Sequence, residues 1–479
     1  MIIKIGLEIH IQLDLNTKLF SPENAGVSCI PNRNTHPVSL GHPGTLKKKK
    51  KKALEYGVLM CLACNAQISK KIIFDRKNYF YPDLAKGYQI TQEMHPLGRG
   101  GAIDFYGNNI KKNIRLMNLK LEEDSASSHH KTDQKYSYLD FNRAGIALVE
   151  LTTLPEFENS ADAVAFLKEV RRIVRFLGIS KGNMEEGNLR FDVNVSTENP
   201  NYNNQLFTEI KNLNSFEDVR HAIDFEIKEQ EQSLWNSEKG RCKITKGFDS
   251  KKKKTFLMRE KQTADEYLFL SEPDLPPLEI TRHYIEKARK KFRILPVEIY
   301  ENLIQDCEIQ KQYALVLCDN PELYKYFQEV SCCFGNYQMI ANWICNVFVN
   351  HEGSDKIPPQ KFAKMLDLIE KGKLSNNIAR ENVFPGLCRH PEKKIQQIIE
   401  EQNVSAFSEE RKLINIIKQI IDEHAEETRK YTNGKKQLLG FFIGQVMKKT
   451  KRKADPKKVS KLLKKELEKK IRNLPGNNI

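Results

Sequence analysis

The segment Ile5-Gly6-Leu7-Glu8-Ile9-His10-Ile11-Gln12-Leu13 alternates apolar and polar side chains. Ile5, Leu7, Ile9, Ile11 and Leu13 fall on one side; Glu8, His10 and Gln12 fall on the other. A period of two is that of a strand with one buried face. Arg190-Phe191-Asp192-Val193-Asn194-Val195 repeats the pattern, with Arg190, Asp192 and Asn194 on the polar side. Between these segments lie the pair Glu122 and Glu123 and the strand-like end Leu148-Val149-Glu150. Two readings are open. Each strand has an ordinary wet face, or the acidic and histidine side chains converge on one concavity. The second arrangement suits a hard cation, such as the magnesium that accompanies nucleotide phosphates.

Up to about residue 290, strands and turns dominate. Turn clusters such as Gly41-His42-Pro43-Gly44 and Gly98-Arg99-Gly100-Gly101 punctuate them. One helix is predicted over 161–177, with Ser160 as N-cap, Gly178 as stop and a buried stripe of Phe166, Val170, Ile173, Val174 and Leu177. Glu272-Pro273-Asp274-Leu275-Pro276-Pro277 reads as the closing segment of this region. Helical patterns follow, including 283–292 and 361–370. Near residue 406 comes a second boundary, after which Ser408 is the expected cap of a helix carrying Leu413, Ile416, Ile417, Ile420 and Ile421. The last helix has Asp455 as expected N-cap and Pro456 in its first position. Its apolar stripe is Val459, Leu462, Leu463, Leu467 and Ile471, with lysines elsewhere. The expected domains are 1–290, 291–406 and 407–479.

Composition adds a partner. The 479 residues carry 78 Lys and Arg against 62 Asp and Glu, a formal charge of +16. Residues 411–479 hold 20 of the basic and 7 of the acidic residues, so most of the excess lies in the tail. That asymmetry points to a nucleic-acid-binding tail rather than to uniform solubilising charge. The ten cysteines are scattered, and several, such as Cys318 and Cys345, have apolar neighbours. They read as reduced thiols of a cytosolic chain. Cys61-Leu62-Ala63-Cys64 has no second pair at zinc-ribbon spacing. No signal peptide and no membrane-length apolar run is expected. The lysine runs 47–52 and 251–254 read as solvated loop insertions, with phosphate contact the alternative.

Longer strings carry a more specific signal. They are Ile5-Gly6-Leu7-Glu8-Ile9-His10, Arg76-Lys77-Asn78-Tyr79-Phe80-Tyr81-Pro82-Asp83, Lys86-Gly87-Tyr88-Gln89-Ile90, Leu121-Glu122-Glu123-Asp124 and Asp140-Phe141-Asn142-Arg143-Ala144-Gly145. Met184-Glu185-Glu186-Gly187-Asn188-Leu189-Arg190, Lys211-Asn212-Leu213-Asn214-Ser215-Phe216 and Gly444-Gln445-Val446-Met447-Lys448 continue the series. In this order, nearly end to end, the chain resembles the B subunit of the bacterial and organellar glutamyl-tRNA(Gln)/aspartyl-tRNA(Asn) amidotransferases. The resemblance implies an α+β fold: a mainly antiparallel, cradle-like N-terminal domain, a helical connecting domain and a small helical tail. It implies a ligase component that uses ATP and Mg2+ to phosphorylate the side-chain carboxylate of a misacylated tRNA. Ammonia from a separate amidase subunit (the A component) then displaces the phosphate, and a small third subunit (the C component) stabilises the heterotrimer. The setting implied is the bacterial cytoplasm.

The resemblance also assigns residues. His10, Glu123 and Glu150 match the positions that hold the catalytic magnesium, with Glu122 the competitor for Glu123. Glu8, Asp192 and Glu209 match a neighbouring acidic set able to hold a second cation. Lys77, Lys86 and Arg190 are the expected phosphate contacts. Gly440, Gly444, Lys448, Lys449, Lys451 and Arg452 are the expected tRNA contacts, through salt-dependent recognition of shape and backbone.

Four departures stand out. The family's usual Ala-Gly-Lys after Glu-Glu-Asp is Ser125-Ala126-Ser127, an expected arginine is Leu268, and six lysines follow Gly44-Thr45-Leu46. The segment before Glu209 is also irregular. The acidic and histidine ligands survive, so a working but divergent enzyme is expected. The competing class is a catalytically degenerate scaffold that only binds tRNA. An archaeal relative with a large inserted domain is excluded by length.

Overall fold

The computed structural model describes residues 2–130, 136–199, 204–236, 242–260, 267–292, 294–401, 410–432, 435–452 and 454–472. They form two compact units, Met1–Ile299 and Tyr300–Ile479. The first is built on a large sheet and the second is helical, an α+β class.

The strands that position the site are β1 (Ile2–Gln12), β2 (Gln67–Ile68), β3 (Asp75–Asn78), β4 (Tyr88–Thr91), β5 (Gly98–Arg99), β6 (Ala102–Gly107) and β7 (Ile110–Glu123). They continue with β8 (Ala147–Thr153), β9 (Leu189–Asn199), β10 (Asn204–Leu213), β11 (Cys242–Asp249), β12 (Lys254–Glu260) and β13 (Leu268–Ser271). Among the described residues, the main sheet runs β12-β11-β10-β9-β1-β8-β7-β5-β2, with β6 also paired to β7. All its pairings are antiparallel except β10 with β11. A second sheet, β13-β3-β4, supplies another side of the site.

The predicted alternation holds along β1. Ile5, Leu7, Ile9 and Ile11 are buried in one core with Val149, Leu151, Phe191 and Val193. Phe166, Val170, Ile173 and Val174 of helix α2 (Ser160–Phe176) join that core. The cap of this helix is Asn159 rather than Ser160. The Asn159 side chain accepts from Asp162 N–H at 2.9 Å, which leaves Ser160 already helical. Gly178 ends the helix as expected, at a φ of +65°.

The expectation of a solvated first lysine run fails at Lys47, although Lys48, Lys51 and Lys52 are exposed. Lys47 is nearly buried; its ammonium lies 3.2 Å from Glu272 and 3.0 Å from Asp274, and donates to Tyr88 Oη at 3.0 Å. Lys49 donates to the Pro276 carbonyl, and Lys51 and Lys52 open helix α1 (Lys51–Ala63). The run is therefore pinned at Lys47 and Lys49 by the acidic closing segment 272–277. The second run does form an exposed hairpin tip between β11 and β12.

Cys61 and Cys64 are buried at the end of α1, and burial pushes the Cys61 thiol up to about 12. They pack and do not react. The expected helix 283–292 is Arg282–Arg289, which belongs to the first unit. In the second unit, the expected helix 361–370 is Pro359–Glu370. Ser408 lies outside the described residues, and the helix that follows it spans Glu410–Glu423. Leu413, Ile417, Ile420 and Ile421 from this helix share a small core with Phe442, Val446, Val459, Leu463 and Leu467; Ile416 and Leu462 pack against it partly buried. The last helix begins at Pro456, as expected, and the Ile471 side chain lies outside the described residues. No helix among the described residues is long and apolar enough to cross a membrane.

Candidate functional site

Paired residues on neighbouring antiparallel strands point to the same face of the sheet. Glu8 pairs with Asp192, and His10 pairs with both Arg190 and Glu150. Glu150 in turn pairs with Lys120, two residues before Glu122. The register therefore gathers Glu8, His10, Glu122 and Glu150 on one face, together with Lys120, Arg190 and Asp192. His10 Nε2 lies 3.7 Å from Glu8 Oε1, 3.4 Å from Glu122 Oε1 and 3.9 Å from Glu150 Oε2. Glu8, His10 and Glu150 each offer a ligand atom within 4.8 Å of the others. Glu122 Oε2 accepts from Thr91 Oγ1 at 3.2 Å, while its Oε1 is buried without a hydrogen bond.

The expectation that Glu123 joins His10, with Glu122 its competitor, is corrected here. The structure brings Glu122 to His10. Glu123 follows it on β7 and so faces the other way, where its carboxylate accepts from Ile90 N–H at 3.1 Å and pairs with Lys86. Lys86 is thereby held by Glu123 instead of pointing at the cluster. Arg190 donates to Asp124 Oδ1 at 2.6 Å, and Arg143 holds the other Asp124 oxygen at 2.8 Å. Arg190 Nε is buried with no hydrogen bond. Lys77 lies 4.4 Å from the Tyr267 ring centre and 5.8 Å from that of Tyr79. From there its charge acts on Glu8, Glu122 and Glu150.

Of the second acidic set, Asp192 and Glu209 come together around a cation of the chain's own, while Glu8 stands with His10 and Glu150. Lys211 Nζ is 3.4 Å from Asp192 Oδ2 and 2.8 Å from Glu209 Oε1. Burial opposes a charged Lys211, but Asp192 and Glu209 outweigh it and hold the ammonium well above its ordinary range.

The first set is less well balanced. Burial, then Glu150 and Asp192, push the Glu8 carboxyl up to about 8. Burial and Glu150 push Glu122 well above the usual carboxylate range. Burial also raises Glu150, yet Lys120, His10 and Lys77 together bring it below. Burial lowers His10, which favours the neutral imidazole. Three crowded carboxylates, a neutral imidazole and an unpartnered buried carboxylate oxygen make a donor set that fits a hard divalent cation.

Sequence reading missed Lys120, Arg143, Asp124 and Lys211 as partners in the site. The period of two flags Lys120, which shares a face with Glu122. Lys211 opens the segment Lys211-Asn212-Leu213-Asn214-Ser215-Phe216, which carries no local sign of what it faces.

The departures fall around the rim. Ala126 N–H donates to the Asp83 carbonyl at 3.1 Å, and the Ser125 side chain hydrogen-bonds to the Asp83 carboxyl. Leu268 is exposed on β13. In the second unit, Gly440, Gly444 and Lys448 are exposed at intervals of four on the helix Leu439–Lys449, and a Cβ at either glycine would meet nothing within 4 Å. Lys451 and Arg452 are exposed just beyond it, and Lys449 pairs with Glu423 at 2.8 Å.

Comparison with known families matches residues 3–286 to the GatB/GatE catalytic domain and 325–467 to the GatB domain. A protein of Persephonella marina, named as the B subunit of aspartyl/glutamyl-tRNA(Asn/Gln) amidotransferase, is 40% identical over 471 residues, covering 96% of this chain and 98% of its own length. Proteins of the same name from Thermodesulfovibrio yellowstonii and Thermotoga maritima are 37% and 35% identical, covering 96% and 97% of this chain and 98% of their own lengths.

Asp124→Asn removes the anion shared by two arginines and is expected to cost about 3 kcal/mol, the low end for breaking a buried pair because both arginines are partly exposed. Although burial raises Asp124, Arg190 and Arg143 hold it below its usual range. Its contribution is therefore present above the unfolded carboxylate value of about 3.9 and is lost as pH falls through the folded value. Denaturant unfolding at pH 7 and at pH 3 reads both effects: a large deficit at pH 7 that narrows in acid is expected, and an equal deficit at both pH values contradicts this ion-pair reading.

Proposed function

The chain belongs to the B-subunit family of the aspartyl/glutamyl-tRNA(Asn/Gln) amidotransferases and is the B subunit of a tRNA-dependent amidotransferase, a ligase; on that premise we propose that the Glu8–His10–Glu122–Glu150 cluster is the kinase site that activates the amino acid on a misacylated tRNA. The side-chain carboxylate of Glu-tRNA(Gln) or Asp-tRNA(Asn) attacks the γ-phosphorus of ATP. An oxygen–phosphorus bond forms, the β–γ bridge breaks and ADP leaves. Ammonia then attacks the acyl carbon, phosphate leaves, and an amide remains. A carboxylate alone is a poor electrophile, whereas an acyl phosphate has a good leaving group. The first step needs positioning and charge neutralisation more than covalent help.

The observation that carries this reading is the buried, unpartnered Glu122 Oε1 beside His10. Glu8, His10, Glu122 and Glu150 would hold Mg2+, which when bound neutralises phosphate charge. Lys211 already neutralises Asp192 and Glu209, so one cation at the first set is the reading the charges favour. Lys77 and the free Nε of Arg190 are the chain's own donors toward the transferring phosphoryl group. Glu123 and Lys86 act by holding the loop between β3 and β4. A scaffold that only binds tRNA has no use for Glu8, His10 and Glu150 gathered within 4.8 Å, with Glu122 beside His10.

In this reading, residues 1–290 form the kinase domain, 291–406 a connector and 407–479 the tRNA-binding tail. Gly440 and Gly444 leave room for close approach of a backbone, and Lys448, Lys449, Lys451 and Arg452 supply the charge. The partners are the amidase subunit and the small third subunit, in the cytoplasm of a bacterium.

His10→Ala, in the complex co-purified with the amidase and the small subunit, is expected to abolish tRNA-dependent ATP hydrolysis with the fold intact; unchanged turnover removes His10 from the site. Deleting 407–479 is expected to weaken tRNA affinity by at least ten-fold and flatten its dependence on salt, since the slope follows the number of phosphates contacted. Binding curves for the full and shortened chains that superimpose across a salt series would contradict the role of the tail.

A further inference from the structure

The loop 79–87 is firmly tied to the site, yet it presents two large aromatic side chains to solvent. At one end it follows Lys77, whose charge acts on Glu8, Glu122 and Glu150. Tyr79 packs edge-on against Tyr267 at 5.4 Å. At the other end the Asp83 carbonyl accepts from Ala126 N–H, Leu84 is buried and Lys86 pairs with Glu123. Between these anchors Phe80 is wholly exposed and Tyr81 more than half exposed. An anchored loop that keeps apolar rings in water meets the description of a binding surface. Phe80 stands three residues from Lys77, so the two Cα atoms are at most about 11 Å apart.

We propose that Phe80, with Tyr81 beside it, is a stacking platform for the unpaired 3′-terminal adenosine of the charged tRNA. The inference rests on the function proposed above. Magnitudes choose this occupant over the adenine of ATP. A base stacked on one aromatic side chain gains roughly ten- to hundred-fold in affinity. For a free nucleotide that alone gives a dissociation constant no better than about 10 mM. For a base tethered to a tRNA already held elsewhere, the same gain is enough to fix its position. The terminal adenosine also carries the amino acid on its ribose. Fixing its base therefore limits where the side-chain carboxylate can go, on a loop that begins beside Lys77. Single-stranded ends are commonly read through rings of this kind, splayed from the stack.

The test uses the complex with the amidase and the small subunit, and a tRNA carrying 2-aminopurine in place of the terminal adenine. Stacking quenches its fluorescence. Wild type is expected to quench it, Phe80→Ala to lose most of the quench, and Phe80→Trp to restore it. With ordinary charged tRNA, Phe80→Ala is expected to raise KM about ten-fold while KM for ATP stays within two-fold. Quench and tRNA KM both unchanged in Phe80→Ala would overturn the platform. A raised KM for ATP with the quench intact would assign the ring to the nucleotide instead, and loss of either partner from the complex would assign it to an interface. Should wild type hydrolyse ATP without regard to charged tRNA, the kinase reading fails, while the quench still reports on Phe80.

Discussion

A slip of one residue in the pairing of β1 with β8 and β9 would carry Glu8 and His10 into the apolar core and bring Ile9 and Ile11 to the polar face. The site exists because that alternative is closed. Ile5, Leu7, Ile9 and Ile11 are each fully buried. At about 1.5–3 kcal/mol for each buried side chain, a slip that exposed all four would cost about 6–12 kcal/mol. That is comparable to the whole stability of a typical domain. Burying Glu8 and His10 in their place would add to the penalty. The core therefore fixes the face on which the chemistry stands.

With its register fixed, the sheet imposes a tension. Neighbouring strands gather Glu8, His10 and Glu150 within 4.8 Å and set Glu122 beside His10, where burial and mutual repulsion push the Glu8 and Glu122 carboxyls up. Elsewhere on the same face the chain resolves such crowding itself, with Lys211 between Asp192 and Glu209, and with two arginines on Asp124. Beside His10 it does not, although Lys120 and Lys77 moderate the charge. The difference is what makes the first set the candidate for a cation from solution, under the function proposed above.

The sequence made much of this legible, because period-two alternation reports a face directly. Glu8, His10, Asp192 and Glu150 could be put on polar faces without coordinates. The choice between Glu122 and Glu123 could not be made that way, since two consecutive carboxylates always face opposite sides. Only the pairing of β7 with β8 says which side is which. The run 47–52 misled for a related reason. A lysine in a loop-like string looks solvated until its acidic partner is known, and Glu272 and Asp274 lie more than two hundred residues from Lys47. The cap of α2 was misplaced by one residue because Asn159 and Ser160 are both good caps, and their side-chain hydrogen bonds decide between them.

The most direct measurement of the site is a magnesium titration by calorimetry on the complex with the amidase and the small subunit, comparing wild type, Glu122→Gln and Glu123→Gln. With Glu122 beside His10, Glu122→Gln is expected to weaken binding by about ten-fold or more, and Glu123→Gln to leave it within about two-fold. Weakening by Glu123→Gln with Glu122→Gln unaffected, or no weakening in either, would contradict a cation site built on Glu8, His10, Glu122 and Glu150.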